Sequence, residues 1–215
     1  MNYLNVVNQV LRRLREDEVS RVGENTYSAM AGDYVNDAKN LVEVAWDWSA
    51  LRKSVVVPTV AGQHVYSLDG STSKFKEMDA MNLTSRSRMM YQTQRWFNSL
   101  FLAETQVEGS PYTYTYDALD EDGDVEVQVY PVPDGVYNLE FKGIVHSPEL
   151  IEDNDKLILP SQPVIHTAVA LLARERGETG GTSTAEYYAM ADRYLGDAIA
   201  LDVARHPEET IWYTP

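Results

Sequence analysis

The sequence predicts an α+β protein: a helical bundle domain built from the N- and C-terminal segments, with an inserted antiparallel β domain that is a small sandwich or barrel. Three observations carry this reading. Apolar residues recur with the 3.6-residue period of helices near both ends of the chain. From about Ser54 to His146 the period drops to 2, the spacing of half-buried strands. Within that middle region, Tyr112–Tyr116 and Val125–Val129 flank an acidic turn, and Pro131-Val-Pro-Asp-Gly135 separates the second of these from a further alternating run at Tyr137–Val145. The expected boundaries are 1–53 plus 150–206 for the helical domain, 54–149 for the β domain and 207–215 for an extended C-terminal tail. No internal repeat is evident.

The first helix is expected from Asn2 to Glu16, with Leu4, Val7, Leu11 and Leu14 on one side and Arg12, Arg13 and Arg15 on or beside the other. Residues Val19 to Ala31 read as a connector holding a short helix near Tyr27 to Met30. A long amphipathic helix follows from Asp33 to Leu51, with Asp33 as its N-cap and Arg52 and Lys53 at its C-terminus. Tyr34, Ala38, Leu41, Ala45 and Trp48 form its main stripe, and Val35, Val42, Trp46 and Ser49 an adjoining one. Because this helix turns abruptly into a β-branched run, Trp46 and Trp48 are expected to hold the junction between the two domains.

Candidate strands are Ser54–Val57, His64–Leu68, Met78–Leu83, Arg88–Gln92, Tyr112–Tyr116, Val125–Tyr130 and Tyr137–Val145. The last two are expected to pair as a hairpin across Pro131–Gly135. Thr93–Glu104 reads as a short helix covering the sheet through Trp96, Phe97, Leu100 and Phe101. Two strong helices close the chain. Ser161 is expected to cap the first, whose buried stripe is Ile165, Ala168, Val169 and Leu172. Ser183 and Glu186 form a capping box for the second, which carries Tyr187, Ala191, Tyr194, Ala198 and Leu201. His206-Pro207 stops it, and Ile211, Trp212 and Tyr213 are left on a tail too short to form a core.

Composition narrows the function classes. The 215 residues contain no cysteine, which excludes disulfides, thiolate metal sites and cysteine nucleophiles and fits assembly in a reducing cytoplasm. No apolar run reaches the ~18 residues of a membrane span, and the start lacks a signal-peptide pattern. The net charge of −15 argues against a protein that grips phosphate backbones.

No catalytic pattern stands out, so an enzyme is not expected, and no cofactor or metal is assigned. Asp120-Glu-Asp-Gly-Asp124 faintly resembles a calcium loop but has proline at position 131, where the bidentate glutamate belongs. The four histidines, His64, His146, His166 and His206, form no ligand spacing. The glycine-rich stretch after Glu175 follows a helix, so it is a loop and not a phosphate cradle. Tyr112, Tyr114 and Tyr116 could stack on sugars or bases, though a cross-strand packing face explains them as well. Lys74, Lys76, Arg86, Arg88 and Arg95 gather in the β region, where an acidic partner subunit or solvent could meet them.

The order of these motifs resembles a known family. VVNQVLRRLRED, YVNDAKNLVEVAWDWSALR, Gly62-Gln63-x-x-Tyr66-x-Leu68, Tyr130-Pro131-Val132-Pro133-Asp134-Gly135-x-Tyr137 and Asp155-x-x-x-Leu159-Pro160 succeed one another as in the head-to-tail adaptors of tailed bacteriophages, also called tail tubular protein A in short-tailed phages. The resemblance implies a virion structural protein that forms a 12-fold ring between the portal protein and the tail nozzle protein, with tail fibres as a further candidate partner. It implies a channel through which DNA passes without specific binding, and a C-terminal segment, here with Ile211, Trp212 and Tyr213, that reaches the portal. The acidic excess then suits a lumen that repels phosphate. The alternative from the residues alone is a small binding module that recognises carbohydrate or peptide through the tyrosine-rich sheet face.

Overall fold

A computed structural model describes residues 1–71, 75–102, 106–176 and 182–205. The chain divides into two compact units, one of Met1–Leu51 with Ser147–Pro215 and one of Arg52–His146. The class is α+β: among the described residues there are five α-helices and two four-stranded sheets.

In the first unit, α1 (Tyr3–Arg13) begins at Asn2, whose side chain accepts from the Asn5 N–H at 3.1 Å. It buries Tyr3, Val6, Val7, Val10 and Leu11, a stripe turned slightly from the expected one, with Leu4 only partly covered. Buried Asn8 ties down the connector: its Nδ2 donates to the Val19 carbonyl at 3.0 Å and its Oδ1 accepts from the Val19 N–H at 2.9 Å.

The long helix α2 (Thr26–Ala45) corrects the sequence reading at both ends. It starts seven residues before Asp33, because Asn25 and Ser28 form a reciprocal capping box. Gly32 therefore lies inside the helix, where it lets α1 approach: a Cβ there would strike the Tyr3 hydroxyl and sit 2.7 Å from Val22 Cγ1. At the other end the helix stops at Ala45, and Trp46 is extended at φ −155, ψ 154. The buried face is Ala31, Val35, Ala38 and Val42, which takes Val35 and Val42 from the adjoining stripe and only Ala38 from the main one, while Leu41 and Val44 are exposed. Trp48 lies beyond the helix, not on its stripe.

The chain re-enters this unit at Ser147 and is laced along α2. Asn36 exchanges two hydrogen bonds of 3.0 Å with the Leu150 backbone. Lys39 and Glu43, buried and one turn apart, form an ion pair at 3.3 Å. Lys39 Nζ also donates to the Ser147 carbonyl at 2.8 Å, and Glu43 accepts from the Ser147 N–H and hydroxyl. Tyr3 donates its N–H to the Asp155 carbonyl at 2.8 Å, which fixes the start of α1 to the same segment.

Helix α4 (Ser161–Glu175) is capped by Pro160 without a side-chain bond, so Ser161 is its first residue and not its cap. Pro163 falls within the first turn, where its missing N–H would have had no helical partner. Buried Ile165, Ala168, Val169 and Leu172 face the neighbouring helices. α4 packs against α1, α2 and α5 (Thr182–Arg205). His166 of α4 stacks on Tyr194 of α5 at 4.3 Å between ring centres, 9° from parallel.

The second unit is a β-sandwich. One sheet has the order β1 (Arg52–Pro58), β8 (Asn138–Ile144), β3 (Lys76–Asn82), β4 (Ser87–Arg88). The other has β2 (Val65–Ser67), β7 (Val125–Tyr130), β6 (Thr113–Leu119), β5 (Met90–Tyr91). Its core draws Ala80, Leu139 and Phe141 from the first sheet and Tyr66, Tyr114, Val127 and Val129 from the second. The short helix α3 (Gln94–Phe101) inserts Phe97, and the Thr93 hydroxyl caps it.

Two strand expectations are corrected. The predicted Val125–Tyr130 and Tyr137–Val145 hairpin does not form: β8 has β1 on one edge and β3 on the other, so β7 lies in the opposite sheet. The Pro131–Gly135 connection is bonded elsewhere, the Pro133 carbonyl accepting from Gly62 at 2.8 Å and the Val132 N–H donating to Val107 at 3.0 Å. The single strand predicted over Arg88–Gln92 breaks at Met89, where the chain crosses from the first sheet to the second and buries the methionine.

Candidate interaction surfaces

The outward face of β1, β8 and β3 forms an open hollow of about 470 Å³ in the β unit, lined among others by Arg52, Lys53, Ser54, Asp79, Arg88 and Lys142. The strand alternation places it. Val55, Val57 and Phe141 turn inward, so Ser54 and its cross-strand partner Lys142 turn outward, and Asp79 follows Lys142 across the next pairing. Its cations are only partly neutralised. Arg88 reaches Asp79 only at 3.8 Å and is 80% exposed, and Arg52 and Lys53 have no ion pair among the described residues. Lys142 meets Glu140 at 3.2 Å, while the Ser54 hydroxyl donates to the same carboxylate at 2.6 Å. That hydroxyl, helped by Lys142, holds the Glu140 carboxyl below its usual range. Four cations against Asp79 make this a basic patch on an acidic protein.

Sequence reasoning found only Arg88 of this set. Arg52 and Lys53 were expected to close a helix, but the helix ends at Ala45 and they open β1 instead. Lys76, Arg86 and Arg95 of the expected cluster do not line the hollow, and Lys74 lies outside the described residues.

The β6–β7 turn has the opposite character. Six acids fall between Asp117 and Glu126 with no base among them: Asp117, Asp120, Glu121, Asp122, Asp124 and Glu126. Asp120 is committed to the turn. Its Oδ1 accepts from the N–H groups of Asp122 at 3.0 Å and Asp124 at 2.9 Å, and its Oδ2 accepts from the Ser67 hydroxyl at 2.5 Å. These donors, Ser67 first, hold its carboxyl below the usual range. Gly123 at φ +86 closes the turn, and the Gly70 N–H donates to Asp124 at 2.8 Å. Glu121 and Asp122 remain exposed at the tip. Among the described residues no group of three or more histidines and carboxylates is placed to hold a metal.

The tyrosine stripe is mostly turned inward. Tyr114 is buried against Phe141 with ring centres 5.5 Å apart. Tyr114 and Tyr116 both donate to the Glu77 carboxylate, the latter at 2.8 Å. Burial first, and the Glu77 charge with it, push both phenols up. Of the three, only Tyr112 is exposed.

In the helical unit, the Trp48 indole donates to the Val42 carbonyl at 2.7 Å, satisfying an acceptor in the last turn of α2 that has no helical partner. The Trp46 indole donates to Asp202 of α5 at 3.2 Å, and the ring is partly exposed. Leu41 and Val44 with Leu171 line a shallow apolar groove between α2 and α4. Ile211, Trp212 and Tyr213, like His206, lie outside the described residues. Among the described residues no helix is long and apolar enough to cross a membrane.

The family model described as SU10 adaptor protein matches residues 1–211. No curated protein matches the chain.

Proposed function

The chain belongs to the SU10 adaptor protein family, structural adaptors of the bacteriophage virion, and from that premise we propose that it forms the ring between the portal protein and the tail nozzle. The single observation that carries this reading is a family match spanning residues 1–211, both units included. Twelve copies, the stoichiometry implied by likeness to tail tubular protein A, assemble in the host cytoplasm with the helical units side by side around a DNA channel. The tail carrying Ile211, Trp212 and Tyr213 docks on the portal. A net charge of −15 supports passage of DNA without adhesion, since a surface of that sign repels phosphate.

Binding to the portal tests the reading. Full-length protein incubated with the portal of the same phage is expected to add a ring to it, seen by electron microscopy. Deletion of residues 208–215 is expected to abolish docking while leaving the melting temperature nearly intact. A portal that stays bare with the full-length chain overturns the adaptor-ring assignment. Normal docking by the truncated chain overturns the role of the tail.

A further inference from the structure

The β unit carries two features of opposite charge on its two different sheets. We propose that the acidic β6–β7 turn of one copy seats in the basic hollow of β1, β8 and β3 of the next, so that β units join head to tail. This rests on the ring reading above and names the surfaces that would close the ring.

Three observations support it. The hollow is concave and presents Arg52, Lys53 and Arg88 with little internal neutralisation, which is unusual on a chain of net charge −15. The turn is a narrow projection held rigid by the bonds to Asp120, so its exposed Glu121 and Asp122 lose little freedom on docking. Leu119 at its base and Met78 in the hollow are each about half exposed, 49% and 50%, and supply apolar surface beside the charges. A two-fold pair would have each copy's turn in the other's hollow and stop at a dimer; the ring reading calls for the open arrangement, in which a copy gives its turn to one neighbour and its hollow to the other. A contact of unlike surfaces propagates from copy to copy and closes a ring when the rotation allows. Complementary charge also fixes the register and speeds encounter, with a range of about one Debye length, ~8 Å at physiological salt.

The absence of cysteine makes cross-linking a clean test. Ser54→Cys places a thiol in the hollow and Ala118→Cys one beside the turn, and neither removes a charge. The two full-length variants are mixed at low salt and treated with a short bismaleimide. The expected result is a mixed dimer formed at least about tenfold faster than from Ala118→Cys with Val44→Cys, a thiol on exposed α2 surface. Adding R52E/R88E to the Ser54→Cys chain, or E121R/D122R to the Ala118→Cys chain, is expected to abolish that preference. Combining both reversals is expected to restore it, which misfolding of either variant would not do. No preference over the control overturns the contact, whatever the oligomeric state. If sedimentation shows oligomers while the preference is absent, the ring reading stands and this interface is wrong. If duplex DNA is retained by the unmodified chain and released by R52E/R88E, the hollow belongs to nucleic acid and the proposal falls.

Discussion

Asp202, on the last turns of α5, receives the Trp46 indole N–H at 3.2 Å and Ser49 twice, from its N–H at 3.0 Å and its hydroxyl at 2.5 Å. One buried carboxylate thus binds the backbone just after α2 to a helix more than 150 positions later, and the bonded donors offset its desolvation.

Asp202→Ala is expected to destabilise the protein by about 2–4 kcal/mol, because hydrogen bonds to a charged group contribute about 1.5–3 kcal/mol each but are not additive. Urea unfolding would measure it. Asp202→Asn keeps an acceptor and should lose less; equal losses would show that packing, not the hydrogen bonds, matters at this position.

The two tryptophans should separate. Trp48 is 1% exposed and Trp46 37%. Trp48→Ala is expected to cost about 3–5 kcal/mol, and Trp46→Ala clearly less, since much of its ring already faces solvent. Thermal melts of both variants check the order; equal losses would refute it.

Lys39→Met should cost about 3–5 kcal/mol, because it takes the Lys39 ammonium away from the buried Glu43 carboxylate. The double variant Lys39→Met with Glu43→Leu removes the buried carboxylate as well and is expected to recover part of that loss. Complete failure to recover would point instead to the Ser147 bonds as the main contribution.

Acid should loosen the α4–α5 contact. Burial, and then the nearby Arg13 guanidinium, lower the proton affinity of His166 below its ordinary value. As pH falls, the unfolded chain therefore takes up this proton before the folded one. Stability present above the unfolded pKa of about 6.5 is lost below it, down through the lower folded value. The melting temperature should fall between pH 7 and 5 by more in the parent than in His166→Phe, which retains a ring to stack on Tyr194. Parallel pH profiles would rule out His166 as the cause.

Local information was enough for the elements themselves. The period change near Ser54, the alternation in Tyr114, Tyr116 and Val125–Val129, and the stripe Ile165, Ala168, Val169, Leu172 are written in neighbouring residues, and helices and strands form there. Pattern alone erred where two local signals competed. Asp33 was the expected cap, but the reciprocal bonds of Asn25 and Ser28 start the helix seven residues earlier. Leu41 and Val42 are both apolar, and packing against α1 and α4 decided which face of α2 is covered.

What tertiary structure alone decided is partnership across long separations. Strand order is set by which edges are free and which faces share a core, so a Pro-Asp-Gly turn signal could not reveal that β7 and β8 lie in opposite sheets. The basic hollow needs Arg52, Arg88 and Lys142, three residues of three strands, brought together by pairings that no local spacing encodes. Asp202 reads in sequence as one more exposed acid on a helix; only the fold gives it Trp46 and Ser49. Secondary structure follows from interactions within a few residues, whereas a surface or a buried polar network depends on which distant segments the chain brings into contact.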